Sequence, residues 1–387
     1  MRLALTVLSE NPHPKIDIYL DSFPCAPPLA LQAWQRVTRL AEDKSIQIRS
    51  LIVKVDRESM RSLLPHLPNH PLPRLEELEL VVVDGQDYIS SMDDFIPEIP
   101  SDHPPLYSLK LEVIAIPLEN TIFNGLRKLE LIWLSLPLPT TDSFLDVLDR
   151  CTGLEILVLD SSPPLLVEKV DCPNHYRTVE LSHLKTFRVS DDRVEQIVHL
   201  LLHLSLPPTT TIGLEWVVED DWNWNHFFED LPALSLALQV LGVVEWLDVK
   251  FTGGDYSDAY IKAGRDTLGL RPPLLLISLE GEGEQPKSVG FEIVMLSFPH
   301  LFSSSTQLRH LNVTCDDQFL SLEIWADALT AFPYITTLDY SSISSYIENL
   351  GPTEEELRQF FASPQVATLC PRLSTVNILV HVLHGCD

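Results

Sequence analysis

The sequence predicts an α/β fold in which short parallel strands alternate with helices and loops along one continuous array. Three observations predict it: an apolar pattern that recurs along the chain, prolines at a fixed place before it, and helix-like stretches between its copies.

The recurring unit is apolar-x-x-apolar-x-apolar. It reads LEELEL from Leu75, LYSLKL from Leu106, LRKLEL from Leu126, LEILVL from Leu154 and LKTFRV from Leu184. Looser copies are VEWLDV from Val244, the stretch with Leu274, Ile277 and Leu279, LRHLNV from Leu308, ITTLDY from Ile335 and LSTVNI from Leu373, with degenerate units at Ile48 and Thr211. Alternation turns the last two apolar positions inward on a short strand, while the first anchors the chain entering it. Such a strand is too short to be stable alone, so stacking on its neighbours is obligatory.

The repeat averages about 30 residues and varies widely around that value, beyond the roughly 20 to 29 of regular leucine-rich repeats. The expected architecture is therefore an irregular leucine-rich-repeat-like solenoid of about twelve units, with a parallel inner sheet and outer helices or loops. Residues 1–45 read as an N-terminal cap or entry segment, and residues 46–387 as the solenoid.

Pro73, Pro104, Pro272, Pro333 and Pro371 each precede the first apolar position by two, where a missing N–H harms no strand ladder. Cys151 and Cys370 precede it by three, where a small side chain packs beneath the loop. Helices are expected over 142–151, 193–204, 320–332 and 353–362, the last opened by a capping box of Thr353 and Glu356. Segments 85–105 and 250–273 read as long loops that interrupt the array.

Composition narrows the function. With 45% hydrophobic and 21% charged residues the chain has material for a core and is not of a disordered class. Its net charge of −28 opposes binding to nucleic acid and to anionic membranes. The six cysteines form no CxxC pair, which argues against a zinc module or disulfide scaffold and for a reduced compartment, cytoplasmic or nuclear. No secretory leader and no apolar run of roughly 20 residues is visible.

The candidate chemistry is thin. Glu195, His199 and His203 share one helix face but do not make HExxH, and Gly281 and Gly283 do not make a phosphate-cradling GxGxxG. The stretch EWVVEDDWNWNHFFED mixes Trp216, Trp222, Trp224, Phe227 and Phe228 with acids, a composition that suits either packing between repeats or a partner site. No Ser/His/Asp or Cys/His set stands out. Catalytic, cofactor-binding and metal residues are accordingly none, and the chain is not expected to be an enzyme; a hydrolase or metalloenzyme is the remote alternative.

Binding is the expected role, on the concave sheet face, by the residues that flank the inward positions. Those singled out are Glu79, Lys110, Glu130, Arg188, Glu215, Trp246, Asp248, Asn312, Asp339 and Asn377, with Trp246 as the anchor. Some of the acids are expected to pair with Lys or Arg of the next strand and only hold the ladder. The expected ligand is a protein, basic or mixed in charge, and neither nucleic acid nor membrane.

The segments LALTVLSENPHPKIDIYLDS, HPLPRLEELELVVVDG, CTGLEILVLDSS and CPRLSTVNILV resemble the fungal, basidiomycete-type F-box protein family, in its leucine-rich-repeat-like C-terminal region. That resemblance implies the substrate-recognition part of a cullin–RING ubiquitin ligase subunit. The F-box itself is not visible, so a Skp-type adaptor is an expected partner only if an F-box lies upstream. The alternative is a free-standing repeat scaffold or inhibitor-like binder unrelated to ubiquitin.

Overall fold

The computed structural model describes residues 2–8, 15–22, 31–32, 34–36, 39, 47–66, 74–83, 105–114, 116–133, 140–161, 177–191, 194–218, 235, 238–252, 258–265, 272–281, 295, 301–302, 305–316, 321–344 and 352–382. It is a mixed α/β structure, mostly parallel in its sheet pairing and sparing in helix. The chain divides into two compact units, Met1–Leu184 and Lys185–Asp387.

The first unit holds β1 (Arg2–Leu8), β2 (Lys15–Ser22), β3 (Gln47–Val55), β4 (Glu77–Val82), β5 (Ser108–Glu112), β6 (Lys128–Ile132), β7 (Ile156–Asp160) and the short β8 (Val179–Glu180). Strands β1 to β7 lie side by side in chain order. The β1–β2 pair is antiparallel and every later step is parallel.

Parallel neighbours cannot be joined by a tight turn, so each step needs a crossover. Helix α1 (Arg57–Leu63) fills the one after β3, capped by Asp56, which accepts from the Ser59 amide at 2.9 Å. Helix α2 (Thr141–Arg150) fills the one after β6. Its N-cap is Thr140, and it buries Phe144, Leu145, Val147 and Leu148. Helix α2 is also tied to the start of β8's segment, where Arg177 holds Asp146 at 2.7 Å and pairs with Asp149.

The inward positions of the sequence motif form two continuous apolar rungs. One runs Leu51, Leu78, Leu109, Leu129, Leu157 and the other Val53, Leu80, Leu111, Leu131, Leu159, and all ten are buried. The first position of each motif copy is buried as well, at Leu75, Leu106, Leu126 and Leu154. Strand entry repeats one device: two successive amides share a carbonyl of the preceding strand, as Arg127 and Lys128 do with Tyr107, and Glu155 and Ile156 with Arg127.

Strand exit repeats another. The residue that follows β5, β6 and β7 has a left-handed backbone in each case, with φ of 62° at Val113 and 47° at both Trp133 and Ser161. None of the three is glycine, and this region costs an ordinary side chain roughly 1–2 kcal/mol. Ser161 is exposed, so relief there is cheap to test. Ser161→Asn is expected to raise stability by about 0.5 kcal/mol, because Asn tolerates this conformation, read as a higher urea midpoint at unchanged slope.

The second unit holds β9 (Thr186–Asp191), the short β10 (Leu204–Ser205), β11 (Thr211–Val218), β12 (Trp246–Thr252), β13 (Asp258–Gly264), β14 (Leu275–Gly281), β15 (His310–Asp316), β16 (Thr337–Ser344) and β17 (Thr375–Val382). Helices α3 (Val194–Leu202), α4 (Leu322–Ala331), α5 (Glu354–Phe361) and α6 (Pro364–Leu369) lie in its crossovers. The expected capping box at α5 is present: Glu356 donates its amide to Thr353 Oγ1, and its carboxylate accepts the Thr353 amide at 2.7 Å. That amide, and the Thr353 hydroxyl donating to the same carboxylate oxygen at 2.9 Å, hold the Glu356 carboxyl below its usual pKa.

Here the strand order is β9-β11-β14-β13-β12-β15-β16-β17, which departs from simple stacking. Strands β12 to β14 form a meander folded back on the sheet, with β13 antiparallel to both neighbours. Strand β14 returns beside β11, and β15 continues beyond β12, both in parallel. The segment 250–273, expected as a loop, therefore contributes a strand. Its physical cause is a short alternation: Ala259, Ile261 and Ala263 are buried, while Tyr260 and Lys262 face the other way. The other expected loop, 85–105, lies outside the described residues but for Pro105.

Cys151 and Cys370 are buried, as their place in the motif implied. Cys151 Sγ meets the Phe123 carbonyl at 2.8 Å, and Cys370 Sγ those of Ile335 and Phe332 at 3.4 and 3.5 Å. Burial pushes both thiols above their usual pKa, which keeps them unreactive.

Candidate functional site

Each unit has a polar sheet face, built by the residues that alternate with its apolar rungs. In the first unit, Glu79, Lys110 and Glu130 stand directly opposite one another on β4, β5 and β6. Register explains their chemistry. Lys110 bridges Glu79 at 3.4 Å and Glu112 at 3.3 Å, Lys54 reaches Glu79 at 3.0 Å, and Lys128 reaches Glu130 at 3.1 Å.

Burial by itself would lower the Lys110 pKa, but the carboxylates of Glu79, Glu112 and Glu130 outweigh it and hold the ammonium above its usual value. A raised lysine adds stability that is present below its unfolded pKa and is lost only as strongly alkaline pH passes the folded one. Across neutral pH Lys110 stays charged. These sequence-selected residues are thus spent largely on one another, in pairs worth about 0–1 kcal/mol each when solvent-exposed. The expectation that some acids pair with the next strand holds at Glu79.

In the second unit the remaining residues come together in two groups. Arg188 on β9 meets Glu215 on β11 at 2.9 Å, a pair across neighbouring strands. Asp248, Asn312, Asp339 and Asn377 occupy one rung across β12, β15, β16 and β17. Carboxylate and amide alternate along it. Asn312 donates from Nδ2 to Asp248 at 2.8 Å, and Asn377 to Asp339 at 2.6 Å.

Trp246 lies on the adjacent rung, between Gly264 of β13 and His310 of β15. Its indole rests on Gly264 so closely that a Cβ there would stand 2.7 Å from Nε1 and 2.9 Å from two ring carbons. Any side chain at 264 would push the ring off its seat. His310 Nε2 lies 3.0 Å from the second Asp339 oxygen, which ties the Trp246 rung to the Asp/Asn rung.

Sequence reasoning selected Trp246, Asp248, Asn312, Asp339 and Asn377 but not Gly264, whose role depends on β13. The alternation of Ala259, Ile261 and Ala263 was the available signal. Lys262, directly opposite Asp248, was hidden for the same reason.

The weaker candidates resolve less. His199 and His203 pack edge-on with ring centroids 4.7 Å apart, and the Glu195 side chain lies outside the described residues. Among the described residues no group of three or more His, Cys, Asp or Glu is placed to hold a metal ion. Trp216 is buried, whereas Trp222, Trp224, Phe227, Phe228 and Gly283 lie outside the described residues. No helix among the described residues is long and apolar enough to cross a membrane. Compared with known proteins, the chain matches no family model and no curated sequence.

Proposed function

We propose that the chain is a protein-binding module whose recognition surface is the polar sheet face of the second unit. The observation that carries this reading is the seating of Trp246 on Gly264 beside the Asp248–Asn312–Asp339–Asn377 rung. A Trp held flat on a polar sheet loses little side-chain freedom on binding and offers much area to a partner. The rung next to it supplies carboxylate acceptors and amide donors at strand spacing.

Asp248 and Asp339 are partly exposed and accept from the Asn312 and Asn377 amides, with His310 beside Asp339 and Lys262 opposite Asp248. A basic or mixed-charge partner follows, in keeping with the net charge of −28. The sequence resemblance to the fungal F-box family suggests that the partner is a ligase substrate, and the repeat-solenoid reading of the fold belongs to the same proposal.

The test is affinity capture of a partner, followed by titration with variants. Trp246→Ala is expected to weaken binding by about 2 kcal/mol, roughly thirtyfold in Kd. Gly264→Ala leaves the indole in place chemically but unseats it, and is expected to weaken binding in the same direction. Glu215→Lys and Asp248→Lys are expected to slow association and flatten its salt dependence. Undiminished binding in all four, with the fold intact by circular dichroism, rules this face out.

A further inference from the structure

Strand β17 ends the sheet of the second unit, and among the described residues nothing pairs with its outer side. The two apolar rungs that run through this unit do not close there. Leu247, Leu311 and Leu338 are buried, but Val376, next in their row, is partly exposed. Val249, Val313 and Tyr340 are buried, but Ile378 beyond them is not. On the opposite face Leu379 is 54% exposed.

Among the described residues the backbone there is as open as the side chains. Thr375 donates its amide to Thr336 on the β16 side. Alternation then turns the N–H and C=O of Val376 and Ile378 away from β16, to the side where no described strand pairs with them. Exposed edges are usually blunted by a lysine, a proline or an inward charge. The strand reads TVNILVHV, with none of these.

We propose that the outer edge of β17 takes up an extended segment of a basic protein partner, which adds a strand to the second unit. Its apolar side chains occupy alternate positions and continue the rungs that end at Val376 and Ile378. Its basic residues alternate onto the opposite face, beside the Asp339–Asn377 rung, and answer that carboxylate and the net charge of −28. The same charge disfavours a second copy of this chain as the occupant, because two such molecules repel.

The probe is a short synthetic peptide alternating valine and lysine, compared with its valine–glutamate counterpart. Hydrogen exchange of the whole chain is expected to slow at the Val376 and Ile378 amides on adding the lysine peptide, with binding that weakens as salt rises. Val376→Pro removes an outward N–H without touching the bonds to β16, and is expected to weaken the peptide by about tenfold or more. Should that variant fold poorly, a peptide N-methylated at alternate residues, offered to the unaltered chain, is expected to lose binding to the same degree. Trp246→Ala is expected to leave this binding unchanged, so the edge and the polar face fail separately.

The proposal is overturned by any of three results: binding without protection at Val376 and Ile378, equal binding of the glutamate peptide, or protection in the free protein that grows with its own concentration. The last would make a second copy the occupant.

Discussion

Leu129→Asp is expected to destabilise the protein by more than about 4 kcal/mol, the largest effect of any single change on β6. Leu129 is fully buried at the middle of a rung, with Leu109 on one side and Leu157 on the other. A carboxylate there has no cation within the rung and must either ionise in an apolar layer or take up a proton. Leu157→Asp, one strand further on, is expected to behave alike. Leu129→Ala removes volume without adding charge and should cost about 2–5 kcal/mol. Lys128→Ala, on the polar face of the same strand, should cost no more than about 1 kcal/mol, because its pair with Glu130 is partly exposed and lies on the strand's own polar side. Urea denaturation of the four variants orders them, and a midpoint unmoved by Leu129→Asp would show that the inward register is wrong.

Trp325→Ala is expected to cost about 3–5 kcal/mol. Trp325 of α4 is fully buried and meets two rings edge to face: Tyr340 of β16 at 5.4 Å and 89°, and Phe361 of α5 at 5.3 Å and 75°. Such pairs add about 0.5–1.5 kcal/mol each beyond the area they bury. Because Trp325 Nε1 has no hydrogen-bond partner among the described residues, Trp325→Phe loses volume but no bond. It is expected to retain most of the stability. A Trp325→Phe variant as damaged as Trp325→Ala would mean that the indole N–H carries the energy, and would sink this reading.

Tyr340 provides a second readout of the same cluster. Burial, then the neighbouring Cys315 at 3.3 Å, raises its pKa far above the usual tyrosine value. The sign follows from linkage: the folded chain keeps the phenol neutral, while the unfolded chain ionises it above about pH 10. The stability it contributes is complete below that pH and declines above it. Tyr340→Phe should therefore flatten the alkaline limb of a stability profile.

The open edge at β17 and the polar face of the same unit differ in what would hold a partner. On the face, as proposed, side chains would supply the contacts and Trp246 would dominate. At the edge, main-chain groups of Val376 and Ile378 would supply them, so side-chain substitution would matter less than removal of an N–H. Measuring both with one set of variants separates two surfaces that share the strand.

The sequence by itself determined which residues face inward. Period-two alternation is local, so Leu78 and Leu80, Leu109 and Leu111, and Leu129 and Leu131 could be assigned without knowing their neighbours, and all are buried. Helix ends are local too, and Thr353 with Glu356 makes the capping box its spacing announced. The burial of Cys151 and Cys370 followed from their place in the motif.

Strand order was decided only by the tertiary structure. Nothing in the motif said that β12, β13 and β14 would fold back between β11 and β15, because β13 alternates alanine and isoleucine where the other strands carry leucine. That reversal seats Trp246 on Gly264 and sets Lys262 opposite Asp248. Cross-strand partners such as Arg188 with Glu215 and His310 with Asp339 depend on register between segments far apart in the chain. Register follows from how whole strands pack against one another, a non-local property that a local apolar pattern does not contain.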